Sequence, residues 1–343
     1  EGEPDVCYRS DGQGGFEDVT QTWQLTGDAP KGLGCVVADF DQNNVPEIYI
    51  ANDGVPNFLF SRDQADQPFR NEALIRGLGM DSMGRAQGSM GLAVGDTDRD
   101  GWLDILVSNF YSEPNAFYHG TGQGNFEEII KQTQLAAPSL QMLGFGTLFL
   151  DPDNDGWLDL FVANGHIDDM RWRVASLPYR MPPQLFENRR NGTFREVSPT
   201  SGDYFQKEWL GRGVATVDLN QDGRVDLVVS HQLDRSSIVI NETPAVGRFL
   251  SIRCIGTSSN RSALSTKLWL ETDEGTRYHE IIGGGSYNSA PDLRAHFGLG
   301  QSTAKTLRIR WQSGTEETVP APAPGQYTLI EGQGLLADPV VTP

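Results

Sequence analysis

The chain has 343 residues, 27 of them basic and 46 acidic, for a formal net charge of −19. Such an excess of carboxylates excludes a nucleic-acid reader, which needs a basic footprint, and direct adhesion to anionic lipid headgroups without a bridging cation. Two domains fit the length; 39 Gly and 19 Pro with no sustained 3.6-residue period favour an all-β fold, and no apolar run reaches the roughly 18 residues of a membrane span.

The opening CYRSDGQGGFEDVT (7–20) reads as strand, Gly-rich turn, strand, in the form of a closing hairpin whose preceding loop is missing. CVVADF then runs into DFDQNNVPE (39–47) and out through IYIAND (48–53), and NFLFSRDQADQPFRNEA (57–73) supplies a loose second hairpin. The pattern returns as GLAVGD, DTDRDGWLD (96–104), ILVSNF (105–110) and the hairpin NAFYHGTGQGNFEEI (115–129). It returns again as GTLFLD, DPDNDGWLD (151–159), LFVANG (160–165), an insert over 164–183 and QLFENRRNGTFREV (184–197). A last copy comprises GVATVD, DLNQDGRVD (218–226), LVVSHQ (227–232) and SIVIN (237–241). The short β-branched runs are strands. The GTGQG of the second copy lacks a following helix and is a hairpin turn, not a phosphate loop. Four strands per repeat of about 55 residues describe a propeller blade.

The Asp-rich loop in each copy points to a hard cation. Carboxylates or amides at positions 1, 3, 5 and 9, with the backbone carbonyl of position 7, can converge on one ion, and an all-oxygen set of irregular geometry suits Ca²⁺ better than Mg²⁺. The candidate ligands are Asp96, Asp98, Asp100, Trp102 and Asp104; Asp151, Asp153, Asp155, Trp157 and Asp159; Asp218, Asn220, Asp222, Arg224 and Asp226. A glycine at position 6 allows the sharp turn. The loop at 39–47 offers Asp39, Asp41, Asn43, Val45 and Glu47, but Asn44 replaces the glycine and Pro46 intervenes, which argues against its occupancy. Strands on both sides exclude an EF-hand, which needs flanking helices. The four loops hold 14 of the 46 acidic residues, and one Ca²⁺ in each would move the charge from −19 to −11.

The succession of apolar strand, DxDxDGxxD, apolar strand and NxLFxNxGxGxF resembles the FG-GAP or VCBS repeats of integrin-α-type β-propellers. Residues 246–335, with SSNRSALSTKLWLETDEGTRYHEIIGGGSYNSAPDLRAHFGLG, LRIRWQSGTEETV and YTLIEG, resemble the ASPIC/UnbV domain. The tandem order is similar to that of the cartilage-acidic-protein-like family, with VANGH (162–166) and HFGLG (296–300) the more specific phrases. The resemblance implies a propeller over 1–245, a small all-β domain over 246–335 and a tail over 336–343. The family usually has about seven blades and an NRDGIGA-like turn where this chain reads NRSALST (260–266). Two readings of the ends stand: the N-terminal hairpin completes the last blade of a five-blade ring, or the chain is the C-terminal portion of a longer one. The second is favoured.

Beyond the loops, Cys7 and Cys35 could pair or Cys35 could be a buried thiol; three cysteines without CxxC spacing exclude zinc. His119, His166, His231, His279 and His296 are scattered, with no HExxH or GxSxG, so the expectation is a non-enzyme. His166 opens the insert, as a rim ligand or as an anchor of its loop, with the anchor favoured. His296 is expected to pack inside the C-terminal domain. Trp102, Trp157, Trp172 and Trp209 could stack on sugars, although packing between blades is favoured. Alternation in LRIRWQSG places Arg308 and Arg310 on one solvent-facing side. The expected function is an exported, calcium-loaded, non-catalytic module in an extracellular, periplasmic or cell-surface assembly, with protein partners or self-assembly; the alternative is a carbohydrate-binding or polysaccharide-acting propeller.

Overall fold

The computed structural model describes residues 2–244 and 247–338. The expected domain boundary at 245/246 and the tail from 339 onward lie outside the described residues. Three antiparallel blades of four consecutive strands follow one another, each with these strands in chain order from the inner to the outer edge, and the first sheet gains a fifth strand, Gly283–Gly284, at its inner edge. The first comprises Gly32–Ala38, Glu47–Asn52, Phe58–Ser61 and Arg70–Asn71; the second, Leu92–Gly95, Asp104–Val107, Ala116–Gly122 and Asn125–Glu128. The third comprises Gly144–Leu150, Asp159–Asn164, Gln184–Asn188 and Phe194–Glu196, and a fourth blade has the three strands Gly211–Val217, Asp226–His231 and Ser237–Val239. Alternating side chains pack blade on blade: Tyr49 and Ala51 of the first meet Ile105, Val107 and Tyr118 of the second. The next interfaces are built on Leu106, Phe117, Val162 and Phe186, and on Leu148, Phe161, Val214 and Val229.

One glycine, five residues before each loop, sets the approach of neighbouring inner strands. A Cβ on Gly34 would lie 2.2 Å from Met90 O, on Gly91 2.0 Å from Phe145 O, and on Gly146 2.4 Å from Arg212 O. At the fourth member, Gly213, the opposing atom is Tyr287 O of the C-terminal domain, at 2.7 Å. A segment of that domain thus stands where the next inner strand would be.

The C-terminal domain is a two-sheet unit. One sheet orders Ala295–Gly300, Arg248–Ile255, Gly325–Ile330 and Gly334–Ala337; the other, Gly275–Glu280, Lys267–Thr272, Ala304–Arg310 and Glu316–Pro320. Leu250, Leu268, Phe297, Ile309 and the fully buried Trp311 fill the space between them. From this unit the segment GGGSY leaves for the propeller axis. Gly283 and Gly284 pair with Val37 and Val36 of the first blade, and Ser286 exchanges backbone bonds with Leu92 of the second. Tyr287 meets the Phe145 ring of the third at 4.9 Å, and Ser289 Oγ donates to Val214 O of the fourth at 2.9 Å. Gly284 and Gly285 are left-handed, with φ +82° and +93°, and a Cβ on Gly284 would sit 2.3 Å from Cys35 O.

This corrects the five-blade ring closed by the N-terminal hairpin. Tyr8–Ser10 and Phe16–Asp18 pair with each other, and Cys7 beside them packs on Leu25, Ile50, Phe58 and Phe60 of the first blade, not on the fourth. The three cysteines are free thiols. Among the described residues no helix is long and apolar enough to cross a membrane.

Candidate metal centres

The four Asp-rich loops join the inner strand of each blade to the second, all on one face, and they are built alike. In every loop the amide of position 6 donates to the first aspartate: Asn44 N to Asp39 Oδ2 at 2.6 Å, Gly101 N to Asp96 Oδ2 at 3.1 Å, Gly156 N to Asp151 Oδ2 at 2.7 Å and Gly223 N to Asp218 Oδ2 at 3.0 Å. That residue is left-handed in all four, with φ of 77° at Asn44 and 91°, 85° and 82° at the glycines. Asparagine is among the few residues that enter this region readily. The absence of glycine at 44, read as a sign of a lost site, therefore leaves the loop geometry unchanged. In each loop the amide of position 7 (Val45, Trp102, Trp157 or Arg224) caps the side chain of position 5 at 2.6 to 2.9 Å.

Among the described residues, carboxylate oxygens come together in three of the four loops. Asp39, Asp41 and Glu47 offer carboxylate oxygens within 4.8 Å of one another, as do Asp96, Asp98 and Asp100, and Asp151, Asp153 and Asp155. Asp104 joins Asp98 in a second such group with His119. In the fourth loop Asp222 is engaged by the side chains of Asn220 and Arg224. Burial without a compensating cation pushes these carboxyls upward: Glu47 to about 9, with Asp41 and Asp39 adding to the shift, and Asp96 to about 8, with Asp104 and Asp100 next. Asp151 is raised well above its ordinary value and Asp159 to about 8, both chiefly by desolvation. Asp39 Oδ1, Glu47 Oε1 and Asp96 Oδ1 are buried with no hydrogen-bond partner. A divalent ion would supply what these oxygens lack.

Position 9 has a second duty. Glu47, Asp104 and Asp226 each accept the amide of position 2 at 2.8 to 3.1 Å; in the third loop position 2 is Pro152, which has no N–H to give. Asp104, Asp159 and Asp226 also accept an amide from the third strand, from Gly120, Asn188 and Asn241.

Sequence reasoning missed three kinds of participant. The position-4 side chain, left-handed in every loop, reaches the position-6 carbonyl of the next: Gln42 to Gly101 O at 2.7 Å, Arg99 to Gly156 O at 3.0 Å and Asn154 to Gly223 O at 3.0 Å. The loops are thereby chained into a belt, and the signal was a long amide or guanidinium at one fixed offset. His119 Nδ1 lies 2.9 Å from Asp104 Oδ1, which raises its pKa to about 9, and nothing in the loop motif announces it. The third kind is the C-terminal domain itself, which roofs the loop face. His296 Nε2 lies 2.7 Å from Asn154 Oδ1, Gln326 donates to Asp218 Oδ2 at 2.8 Å, and Lys267 Nζ lies 2.5 Å from Asp39 Oδ2. His296 therefore bridges the domains and is not confined to its own.

Of the other candidates, His166, Trp157 and Trp209 settle as packing. His166 is buried, its Nδ1 2.9 Å from Asp168 O and its ring against Phe110, so it anchors the insert. Trp157 lies under the Arg99 guanidinium at 4.0 Å, between two loops. Trp209 stacks on His231 at 4.6 Å, and Trp172 on the insert is 80% exposed. Arg308 is exposed over Trp269, whereas Arg310 turns to the first loop, 3.4 Å from Gln42 O.

Comparison with known proteins agrees with this organisation. The FG-GAP-like repeat model matches residues 96–162 and 151–229, and the ASPIC and UnbV model matches 256–335. Cartilage acidic protein 1 from Xenopus tropicalis is 27% identical over 294 residues and that from Homo sapiens 26% over 289, each covering 82% of this chain. The chain spans 42% and 41% of those relatives. A solved Agrocybe aegerita lectin that recognises non-reducing terminal N-acetylglucosamine aligns at 13% identity and TM-score 0.44, over 89% of this chain and 71% of its own. Trypanosoma rangeli sialidase aligns at 13% and 0.40, over 69% and 37%. Likenesses this small carry no argument about function. On its repeats, its C-terminal domain and their order, the chain is an FG-GAP-repeat protein with an ASPIC and UnbV domain, similar over 82% of its length to cartilage acidic protein 1.

Proposed function

We propose that the protein is an exported, calcium-loaded propeller that acts without catalysis as an interaction or structural subunit of a surface or multi-subunit assembly. The observation that carries this reading is the convergence of carboxylate oxygens in the first three loops, with buried oxygens in the first two that lack partners. Asp96, Asp98, Asp100 and Asp104, and their counterparts in the other loops, would hold the ion; calcium supplies charge neutralisation and ties two strands of each blade together. Millimolar calcium is an extracellular condition, and oxygen-only loops in extracellular modules bind at about 10⁻⁴ to 10⁻³ M, which is why we assign an exported location. Metal analysis of protein dialysed against calcium should return three to four ions per chain, and the melting temperature should fall steeply in a chelator, by mass action. An unchanged melt with no bound calcium would overturn the reading. Calcium-dependent oligomers in light scattering would identify the partner as a second copy.

A second reading rests on the opposite face. A cavity of about 460 Å³ there is lined by Phe145, Ile167, Arg212, Ser230, Tyr287 and Asn288. Arg212 is half-buried over the Phe145 ring at 4.1 Å, and its guanidinium donates to the neutral acceptors Gly165 O, Gly211 O, His166 O and Gln232 Oε1, with no carboxylate partner among the described residues. In a chain of such negative charge this suits an acidic sugar. A glycan array with a turnover assay on acidic polysaccharides tests it; silence in both removes it.

A further inference from the structure

The first loop differs from the others in what covers it. Lys267 Nζ lies 2.5 Å from Asp39 Oδ2, and neither side chain has any exposure. Glu280 Oε1 accepts the Asp39 amide at 2.7 Å, and the Tyr278 hydroxyl donates to the other Glu280 oxygen at 2.9 Å. All three partners belong to the C-terminal domain. On the propeller side Arg76 reaches Asp41 at 3.4 Å, but it is more closely paired with Glu72 at 2.8 Å. One ammonium and a shared guanidinium thus face four carboxylates: Asp39, Asp41, Glu47 and Glu280. Arg310, the other cation at this edge, is matched by Glu316 at 3.6 Å.

The ammonium leaves work undone. It takes Asp39 Oδ2, while Asp39 Oδ1 and Glu47 Oε1 stay buried without any partner, on residues 1% and 0% exposed. One carboxylate oxygen each of Asp39, Asp41 and Glu47 lie within 4.8 Å of one another, in a loop whose backbone matches its three relatives. Negative charge in excess of the local cations and unpartnered oxygens aimed at one point call for a divalent ion.

We infer that the first loop holds a divalent cation and that Asp39 carries that ion on one oxygen and seats the C-terminal domain on the other, so that calcium occupancy and domain docking are thermodynamically linked. The inference rests on the calcium reading above and goes beyond it in assigning the ion a second task. With the ion present, Asp39 is neutralised enough to share its burial with Lys267 and Glu280. Without it, four crowded carboxylates repel the lid that Glu280 brings. Linkage is reciprocal: whatever calcium adds to docking, docking adds to calcium affinity. The docked state has a local reporter, because Gly285 N and Ser286 N donate across the domain boundary to Cys35 O at 2.9 Å and Leu92 O at 2.6 Å.

Hydrogen exchange of the full chain, with calcium and with a chelator, tests this. The Gly285 and Ser286 amides should exchange about tenfold faster or more in chelator, while amides inside the C-terminal sheets, such as Leu268 and Ile309, keep their protection. Glu47→Gln separates the ion from the direct contact. Glu47 bonds the Phe40 amide within its own loop at 2.8 Å, which glutamine can reproduce, and its bonding does not extend to the docked domain. In calcium this variant should expose Gly285 and Ser286 as chelation does. If calcium binds at the other loops and neither chelation nor Glu47→Gln changes these two amides, linkage is wrong and the calcium reading survives. If no calcium binds anywhere, the calcium reading itself has failed.

Discussion

At the scale of single residues, Asn44 decides how the first loop is to be judged. Its φ of 77° and its amide bond to Asp39 reproduce the glycine of the other loops. Asn44→Gly should therefore change the melting free energy by less than about 1 kcal/mol, whereas Asn44→Val, β-branched in the left-handed region, should cost about 2 kcal/mol in a urea titration. The buried carboxyls make a pH prediction for metal-free protein. Glu47, Asp96 and Asp159 have folded pKa values of about 9, 8 and 8, above the ordinary range near 4. Their protonated forms favour the fold at low pH, and that contribution is lost as pH rises from about 4 through 8 to 9. His119, raised to about 9 by Asp104, acts in the same direction above its ordinary value. In chelator, stability should fall between pH 5 and 8.5; with saturating calcium the same scan should be much flatter. A chelated protein that gains stability toward pH 8.5 would contradict the assignment. The aspartates were legible in sequence because ligand spacing is local. Lys267 was not, since 228 residues separate it from Asp39 and no short window pairs them.

At the scale of elements, the strands and hairpins could be read from alternation and turn residues, and the loops from their recurrence. What could not be read was how the elements lock together, because that depends on side chains reaching between copies. Asn188 Nδ2 donates to Thr97 O of the preceding loop at 2.9 Å and to Leu158 O of its own at 3.1 Å; Asn241 does the same with Pro152 O at 2.8 Å and Val225 O at 3.2 Å. The asparagines of the repeat motif are thus ties between blades. The glycines five residues before each loop were visible as flanking glycines, but their purpose emerges only when two inner strands meet. Gly91→Ala would put a methyl 2.0 Å from Phe145 O, backbone against backbone, with no flexible group to yield. A loss of about 2 to 4 kcal/mol or outright misfolding is expected, read as the shift in urea midpoint. The N-terminal hairpin was recognised as a hairpin, and of the two readings of the chain ends the one that set it on the last blade does not hold. Its apolar neighbours, Leu25 and Ile50, belong to the first blade, and nothing in the hairpin itself names the face it covers.

At the scale of the whole molecule, the Asp-rich loops and the C-terminal domain meet on one face while the axis is filled from the same side. The sequence predicted two domains side by side; the structure makes them interdependent, because Gly283–Gly284 is a strand of the first blade's sheet. That arrangement has a kinetic consequence. The inner strand of the first blade acquires its last partner only when Gly283 and Gly284 have been synthesised, so its axial edge stays open until then. Pairings this distant in sequence close slowly, since the chain loses loop entropy before the contact rewards it. Refolding by stopped flow should accordingly show a slow phase that reports on Trp269 and Tyr278 at the domain boundary, accelerated by calcium if the loops order the face on which the C-terminal domain lands. Were the protein exported as proposed, a late closing step of this kind would hold the repeats unsealed until the glycine-rich segment has crossed and calcium is at hand. The same glycine-rich segment that completes the sheet would then act as a timer on maturation.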